Sequence, residues 1–135
     1  MTHHISAMLD AHPRGPHTVN KNQLTRITTC FQCAQACTAC ADACLGEDMV
    51  ADLTACIRTD LDCSDIRAAT GNVLSRQTGG NAHTIRALLE ACRPACAACA
   101  EDCERHAGMH EHCRICAEAC RRCEAACTAL LAALA

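Results

Sequence analysis

Apolar positions in this chain recur in alternating steps of three and four residues, and at many of them the residue is cysteine. The most regular row lies near the C-terminal end, where five cysteines are separated by steps of 3, 4, 3 and 4. Such steps place side chains on one face of an α-helix, as at the a and d positions of a heptad. We call each such row of cysteines a ladder, and this ladder consists of Cys113, Cys116, Cys120, Cys123 and Cys127.

Three further rows follow the same rule and predict three further helices. The second of these rows has only two cysteines, and Asp60 stands between them, four residues after the first and three before the second. The rest of the chain is therefore expected to bring four ladders face to face. The three rows are Cys30, Cys33, Cys37, Cys40 and Cys44; Cys56 and Cys63; and Cys92, Cys96, Cys99 and Cys103.

Turn and capping residues set the expected limits of the first two long helices. Residues 1–17 are polar and contain proline and glycine, so they predict a flexible or short-helical segment ahead of a bundle domain at 18–135. Thr18 or Asn20 can cap the first long helix, and Gly46 is expected to end it. Asp48 is expected to cap the second long helix.

The third and fourth long helices are bounded in the same way. Glycines at 79–80 mark the clearest break, Asn81 can cap the third helix, and Gly108 precedes a fourth that begins near Met109. Pro94 removes a backbone donor inside the third helix and is expected to bend it. Because short connections make consecutive helices antiparallel neighbours, the sequence predicts an all-α, up-down-up-down four-helix bundle with a cysteine-lined core.

Folding each pair of helices back at its turn, at 46–47 and at 107–108, predicts which ladder positions face each other. The expected pairs in the first hairpin are Cys37 with Cys56, Cys33 with Asp60, and Cys30 with Cys63. The expected pairs in the second hairpin are Cys103 with Cys113, Cys99 with Cys116, Cys96 with Cys120, and Cys92 with Cys123.

The two ends of the predicted core differ in chemistry. One end, the mouth, presents nitrogen and thioether side chains beside the last cysteines, namely Met49, His106, Met109 and His110. The other end is expected to be closed by aliphatic side chains, namely Leu24, Ile27, Val73, Leu74, Ile85, Leu89, Leu130, Leu131 and Leu134.

Composition and charge limit the functions that a protein with such a core could have. Phe31 is the only aromatic residue among 135, and 16 cysteines stand where a packed core would hold larger apolar side chains. The net charge of −3 argues against a nucleic-acid-binding surface, and no apolar run approaches the ~18 residues of a membrane-spanning helix.

The first ten residues lack a secretory signal, which predicts a cytoplasmic protein with reduced thiols. No spacing supports a catalytic constellation, so no enzymatic activity is expected.

The helical spacing of the thiols favours Cu(I) among the metals that thiolates bind. Zinc sites are closed tetrahedra built on knuckles or loops, and iron–sulfur motifs place their cysteines in wrapping loops. Cu(I) accepts few, soft ligands, and an ion that displaces one thiol proton leaves the buried charge unchanged. We therefore expect all sixteen cysteines to bind many Cu(I) ions, on the order of one per cysteine. Zinc or cadmium buffering and, less favoured, thiol redox chemistry are the alternatives.

The cysteine pattern resembles that of cytosolic copper storage proteins, a bacterial family of cysteine-rich four-helix bundles. The similarity covers about residues 18–134 and is most specific in the repeated alternation of C-x-x-C and C-x-x-x-C, as in Cys30 followed by Phe31-Gln-Cys-Ala-Gln-Ala-Cys-Thr-Ala-Cys. It implies a homotetramer that stores many Cu(I) ions in the cytosol on its core thiolates. A copper chaperone or a small thiol is the candidate donor. The second long helix departs from the family pattern at Asp60.

Asp60 therefore has two interpretations. Its carboxylate either turns to solvent or pairs with Arg58 or Arg67, or it lies in the core and coordinates or relays copper. Its position in the three-four alternation places it on the same face as the cysteines.

Three residues at the mouth are candidate copper-loading or terminal ligands. His106 and His110 each extend a ladder by one step, and neutral imidazole is a good copper ligand. Met109 offers a thioether, although methionine is also a common packing residue. His83 and His112 are expected on the surface instead.

Overall fold

The computed structural model describes residues 2–14 and 21–134, and every regular element in them is helical. Four long helices form a ring in which α2 contacts α3, α3 contacts α4, α4 contacts α5, and α5 contacts α2. This arrangement is the predicted four-helix bundle, and the predicted fold class is confirmed. The elements are α1, Thr2–Ala11; α2, Lys21–Leu45; a 3₁₀ turn, Val50–Leu53; α3, Thr54–Ser75; α4, Ala82–His106; and α5, Glu111–Leu134.

Two of the predicted helix limits are confirmed. α2 ends immediately before Gly46, and Asn81 caps α4 by accepting a hydrogen bond from the backbone N–H of Thr84 at 3.0 Å. Thr18 and Asn20, the predicted caps of α2, lie outside the described residues.

The predicted start of the second long helix is wrong. Asp48 does not cap it, because the chain first forms the 3₁₀ turn, whose N-cap residue Met49 makes no capping hydrogen bond through its side chain. α3 begins only at Thr54. The connection between α2 and α3 is therefore longer than the expected turn at 46–47.

The predicted start of the last helix is also too early. The backbone N–H groups of Met109 and His110 both donate to the carbonyl of His106, at 3.1 and 2.9 Å. This turn delays α5 to Glu111. α4, in contrast, runs without interruption through Pro94.

The longer connections shift both hairpins by one ladder step from the predicted register. Cys33 faces Cys63, with 4.0 Å between the sulfurs, although Asp60 was the expected partner. In the second hairpin Cys92 packs against Cys127 instead of Cys123, although the sulfurs of the predicted pair Cys99 and Cys116 still lie within 4.8 Å of each other. The ladders still face the bundle axis, so the error changes the pairing and not the composition of the core.

The core itself consists mainly of sulfur, since all sixteen cysteines are buried and none forms a disulfide. Among the residues expected to close one end, three are buried and five are partly buried, whereas Leu134 is exposed, contrary to the prediction. The buried three are Ile27, Leu89 and Leu130, and the partly buried five are Leu24, Val73, Leu74, Ile85 and Leu131.

The N-terminal helix α1 lies outside the ring of four helices and contacts α2. Its Leu9 is buried. The division of the chain at residue 17 stays a prediction. Within the described ranges, no helix is long and apolar enough to cross a bilayer.

One close approach holds α2 and α3 together. The ring of Phe31 lies over Gly71, where an added Cβ would come within 2.9 Å of the ring. Any larger residue at that position would push the ring, and α2 with it, away from α3.

Candidate metal centre

The sulfur atoms form a network along the bundle axis that crosses between all four helices. A metal–sulfur bond of about 2.3 Å, as in zinc thiolates, allows two sulfurs that share an ion to lie up to ~4.6 Å apart. Every distance below falls inside that limit and far outside disulfide bonding. The sulfur–sulfur distances are 3.5 Å for Cys37–Cys120, 3.5 Å for Cys56–Cys103, 3.8 Å for Cys37–Cys99, 3.8 Å for Cys63–Cys96 and 4.0 Å for Cys33–Cys63.

The network divides into overlapping groups of four ligand atoms, each group lying within 4.8 Å. Cys37 and Cys120 belong to two of these groups, so one sulfur has ligand partners on two sides. Shared sulfurs suit bridging thiolates better than separate closed tetrahedra. Three of the groups are Cys33, Cys37, Cys63 and Cys120; Cys37, Cys99, Cys116 and Cys120; and Cys40, Asp60, Cys103 and Cys116.

Burial favours the protonated form of many of these thiols in the metal-free protein, whereas hydrogen bonds with neighbouring thiols lower the pKa of Cys63 and Cys116. Burial raises the pKa of Cys30 and that of Cys113 to about 11 in each case. The pKa of Cys99 is raised further, first by its hydrogen bond with Cys103. A metal that binds here therefore replaces protons, and a monovalent ion does so without adding charge to the core.

Asp60 lies inside the sulfur network and is fully buried, with 0% of its surface exposed. Its carboxylate accepts hydrogen bonds from the thiols of Cys99 at 2.9 Å, Cys116 at 3.2 Å and Cys103 at 3.5 Å. Burial, and secondarily the charge of Cys116, raises the pKa of Asp60 to about 7. Near neutral pH this carboxyl group is poised between a neutral acid and a buried anion.

The alternative placement of Asp60 at the surface is wrong. Arg58, one proposed partner, binds the exposed Asp62 at 3.1 Å. Arg67, the other, lies at the far end of the core and donates to Cys127. The interpretation that puts Asp60 among the thiols is confirmed, whereas its role toward copper stays a proposal.

The mouth contains a histidine that the sequence analysis placed on the surface. His112 is partly buried, and its Nδ1 lies 3.4 Å from the sulfur of Cys40 and 3.6 Å from that of Cys113. With Cys44 these residues form a candidate metal-binding group. His112 directly precedes a ladder cysteine and is out of step with the alternation, so no spacing signal marks it.

Glu47 orients two histidines at the mouth. One of its carboxylate oxygens lies 2.9 Å from Nε2 of His112 and 3.0 Å from Nδ1 of His110. The two rings stack with their centroids 5.4 Å apart. Donation to Glu47 leaves Nδ1 of His112 with a lone pair directed at the sulfurs, as outer carboxylates do for metal-binding histidines.

The predicted mouth residues are not equally close to the sulfurs. Nε2 of His110 is buried and has no hydrogen-bond partner among the described residues, so its lone pair is free. His106 is partly buried at the end of α4. Met109 is 66% exposed, which places it outside the buried sulfur network, and Met49 is partly buried beside the 3₁₀ turn.

The opposite, closed end of the core is polar as well as aliphatic. Arg67 is buried, and its Nη1 donates to the sulfur of Cys127 at 2.7 Å. The hydroxyl of Thr70 lies 2.8 Å from the sulfur of Cys92. The pKa of Cys92 falls to about 6, first through its hydrogen bond with Cys127 and then through Thr70 and the charge of Arg67.

Thr70 was missed as a core residue and Arg67 was only one of two candidates for its position, although the sequence carries a signal for both. The three-four alternation of α3 continues past Cys63 to Arg67 and then to Thr70, in steps of 4 and 3. The spacing leaves Ile66 and Arg67 as alternatives at the step after Cys63, and the prediction then continued along Val73 and Leu74.

Known proteins match this chain over most of its length. A family model described as copper storage protein matches residues 19–132. The uncharacterized cysteine-rich protein YhjQ of Bacillus subtilis is 35% identical over 91 residues, which is 67% of this chain and 79% of the relative.

Two solved structures from Streptomyces lividans share the fold. The copper storage protein Ccsp, loaded with 10 copper equivalents, is 57% identical with a TM-score of 0.87, over 95% of this chain and 98% of that chain. A structure of copper loading to a cytosolic copper storage protein, with five coppers, is 63% identical with a TM-score of 0.80, over 83% of this chain and 93% of that chain. The chain belongs to the copper storage protein family.

Proposed function

We propose that this chain stores Cu(I) by binding many ions at once on the thiolates of its core. The observation that carries the proposal is a core of sixteen buried, unbridged thiols, in which eleven sulfurs lie 3.5–4.0 Å from another thiol sulfur. Packing alone does not explain this core, because larger aliphatic residues would fill it better and would not oxidise. The copper-loaded relatives support the choice of metal.

The proposed reaction is an exchange of a proton for a metal ion at each sulfur. A thiol R–SH and Cu(I) give R–S–Cu and a released proton, so neither sulfur nor copper changes oxidation state. Because the charge of the core is conserved, many ions can enter without a growing electrostatic cost. All sixteen ladder cysteines are the proposed ligands, with Asp60 as an auxiliary ligand.

Copper is proposed to load through the mouth. His112 offers a nitrogen lone pair next to Cys40 and Cys113, and the stacked ring of His110 offers an unpartnered Nε2. His106 and Met109 are proposed as outer contacts for an arriving ion. A copper chaperone or a small thiol is the proposed donor.

We further propose that the protein stores copper and catalyses no reaction, that it is cytoplasmic, and that it forms a homotetramer. Family membership supports storage, and the relative described as cytosolic supports the location. The homotetramer rests on the resemblance to the family.

An anaerobic titration of the fully reduced protein with Cu(I), against a chromophoric Cu(I) chelator, tests this function. We expect tight binding that saturates on the order of 16 equivalents per chain or more. A matched titration with Zn(II) is the control, since sixteen cysteines make at most about four closed tetrahedra. Saturation at about four Zn(II), with little preference for Cu(I), would mean that the protein is a zinc buffer.

A further inference from the structure

Arg67 is a buried cation without a carboxylate partner. Its side chain is 1% exposed, and its Nε has no hydrogen-bond partner among the described residues. The other buried charged residue in the described chain, Asp60, lies seven residues earlier on α3. At 1.5 Å per residue this is about 10 Å along the helix, and the Asp60 carboxylate is already bonded to thiols.

The polar partner of Arg67 is sulfur. The guanidinium contacts Cys127 at 2.7 Å, Cys30 lines the same small cavity as Arg67 and Cys127, and Cys92 packs against Cys127. The charge of Arg67 also acts on Cys123. An unpaired charge in a dry core is strongly destabilising, so a buried cation requires an anion close by. Here a thiolate is the anion that the structure provides.

This cation changes the charge balance of copper binding at the closed end. Elsewhere in the core, one Cu(I) per thiolate gives a net charge of zero. Four thiolates beside one guanidinium carry a net charge of −3, so three Cu(I) ions, and not four, neutralise them. Three bound Cu(I) ions and one guanidinium thus balance the charge of four thiolates.

We propose that Arg67 is a positioning residue that holds an anionic copper–thiolate unit at the closed end, with one fewer Cu(I) than cysteines. The unit comprises Cys30, Cys92, Cys123 and Cys127, and the guanidinium supplies the balancing charge in place of a fourth copper ion. This inference rests on the proposed storage of Cu(I). It adds that the metal-to-sulfur ratio differs along the core.

The Arg67→Leu variant tests the inference by removing the cation without adding a metal ligand. Replacing an unpaired buried charge by an apolar residue of similar volume is expected to be tolerated, and circular dichroism checks the fold. Anaerobic Cu(I) titration with native mass spectrometry should give one more Cu(I) per chain than the wild type. Should the variant not fold, Arg67→Gln removes the same charge and is measured in the same way with the same expectation.

Two control variants separate the buried charge from other effects. Arg58→Leu removes an exposed arginine from the same helix and should leave the copper number unchanged. Arg67→Lys keeps a cation at the closed end and should also match the wild type. A gain in Arg67→Lys equal to that in Arg67→Leu would overturn the inference, because the charge would then not set the number.

The wild-type titration distinguishes the two proposals. If the wild type itself takes up few Cu(I) ions, storage is wrong and the inference fails with it. If the wild type loads fully and the neutral variants bind the same number, only the role of Arg67 is wrong.

Discussion

The two halves of the sulfur core differ in the charge that their polar residues bring to the thiols. In the half that leads to the mouth, Asp60 can become an anion and His112 directs a lone pair at two sulfurs. In the closed half, Arg67 brings a fixed positive charge and Thr70 a hydroxyl. Both halves offer the same ligand, thiol sulfur. Only in the first half do the neighbouring polar groups favour the binding of an additional cation.

This difference shows that identical ligands at equal spacing do not form identical metal sites. A ladder gives equal sulfurs at equal spacing, whereas the electrostatic free energy of a bound Cu(I) depends on the charges beside it. Inside a dry core those charges are weakly screened. We therefore expect the metal content, the pH dependence and the loading rate to be set by the few polar residues of the core, each in its own half.

The largest effect is expected from Asp60→Asn, measured as the stability of the reduced, metal-free protein against pH. The pKa of Asp60 is about 7 in the folded chain against 3.8 for the free group. The folded state therefore holds the proton more tightly. The contribution of Asp60 to the free energy of unfolding therefore has its full value below pH ~4 and is lost as the pH rises through ~7.

The wild type should consequently lose a few kcal/mol between these limits, at about 1.4 kcal/mol per pKa unit, and Asp60→Asn should not. Anaerobic urea unfolding between pH 4 and pH 8 measures the difference. Asp62→Asn, at an exposed position on the same helix, is the matched control and should follow the wild type. Parallel pH curves for wild type and Asp60→Asn would show that no buried carboxyl titrates there.

A smaller effect is expected from His112→Ala, and it concerns the rate of copper uptake more than the number of Cu(I) ions bound. The substitution removes the nitrogen donor beside Cys40 and Cys113, so uptake from a chelated Cu(I) donor should slow several-fold. The capacity should fall by at most about one ion, because the sulfurs remain. Stopped-flow uptake and an endpoint titration measure the two quantities.

His83→Ala, at an exposed position on α4, is the control for that experiment. An uptake rate of His112→Ala equal to that of the control would remove His112 from the loading route. A loss of several ions would instead make the histidine part of the main metal store.

Much of the fold was accessible from the sequence because the cysteine alternation is so regular. It predicted four helices and the face of each that turns inward, and it placed Asp60 on that face without deciding between the core and solvent for its carboxylate. The register was off by one ladder step, since the 3₁₀ turn at Val50–Leu53 and the turn before Glu111 are set by local backbone bonding that spacing does not report.

The polar residues at the two ends of the sulfur core were harder to predict from the sequence than the cysteines. Arg67 stands in step with the ladder of α3, but the spacing allowed Ile66 at the same step, and the contact with Cys127 shows why the arginine is the buried one. His112 is out of step and reaches the sulfurs because Glu47, from another part of the chain, holds its ring. A contact between distant segments of this kind has no signature in either segment alone.

The most direct test of the account is the number of protons released for each Cu(I) bound by the reduced protein. An anaerobic titration in weak buffer near pH 7.5, followed by a pH indicator, measures this ratio. Exchange of thiol protons for Cu(I) in a core of constant charge predicts about one proton per ion throughout the loading. A ratio near zero would contradict the account, because the core would then accumulate buried positive charge or its thiols would already be ionised.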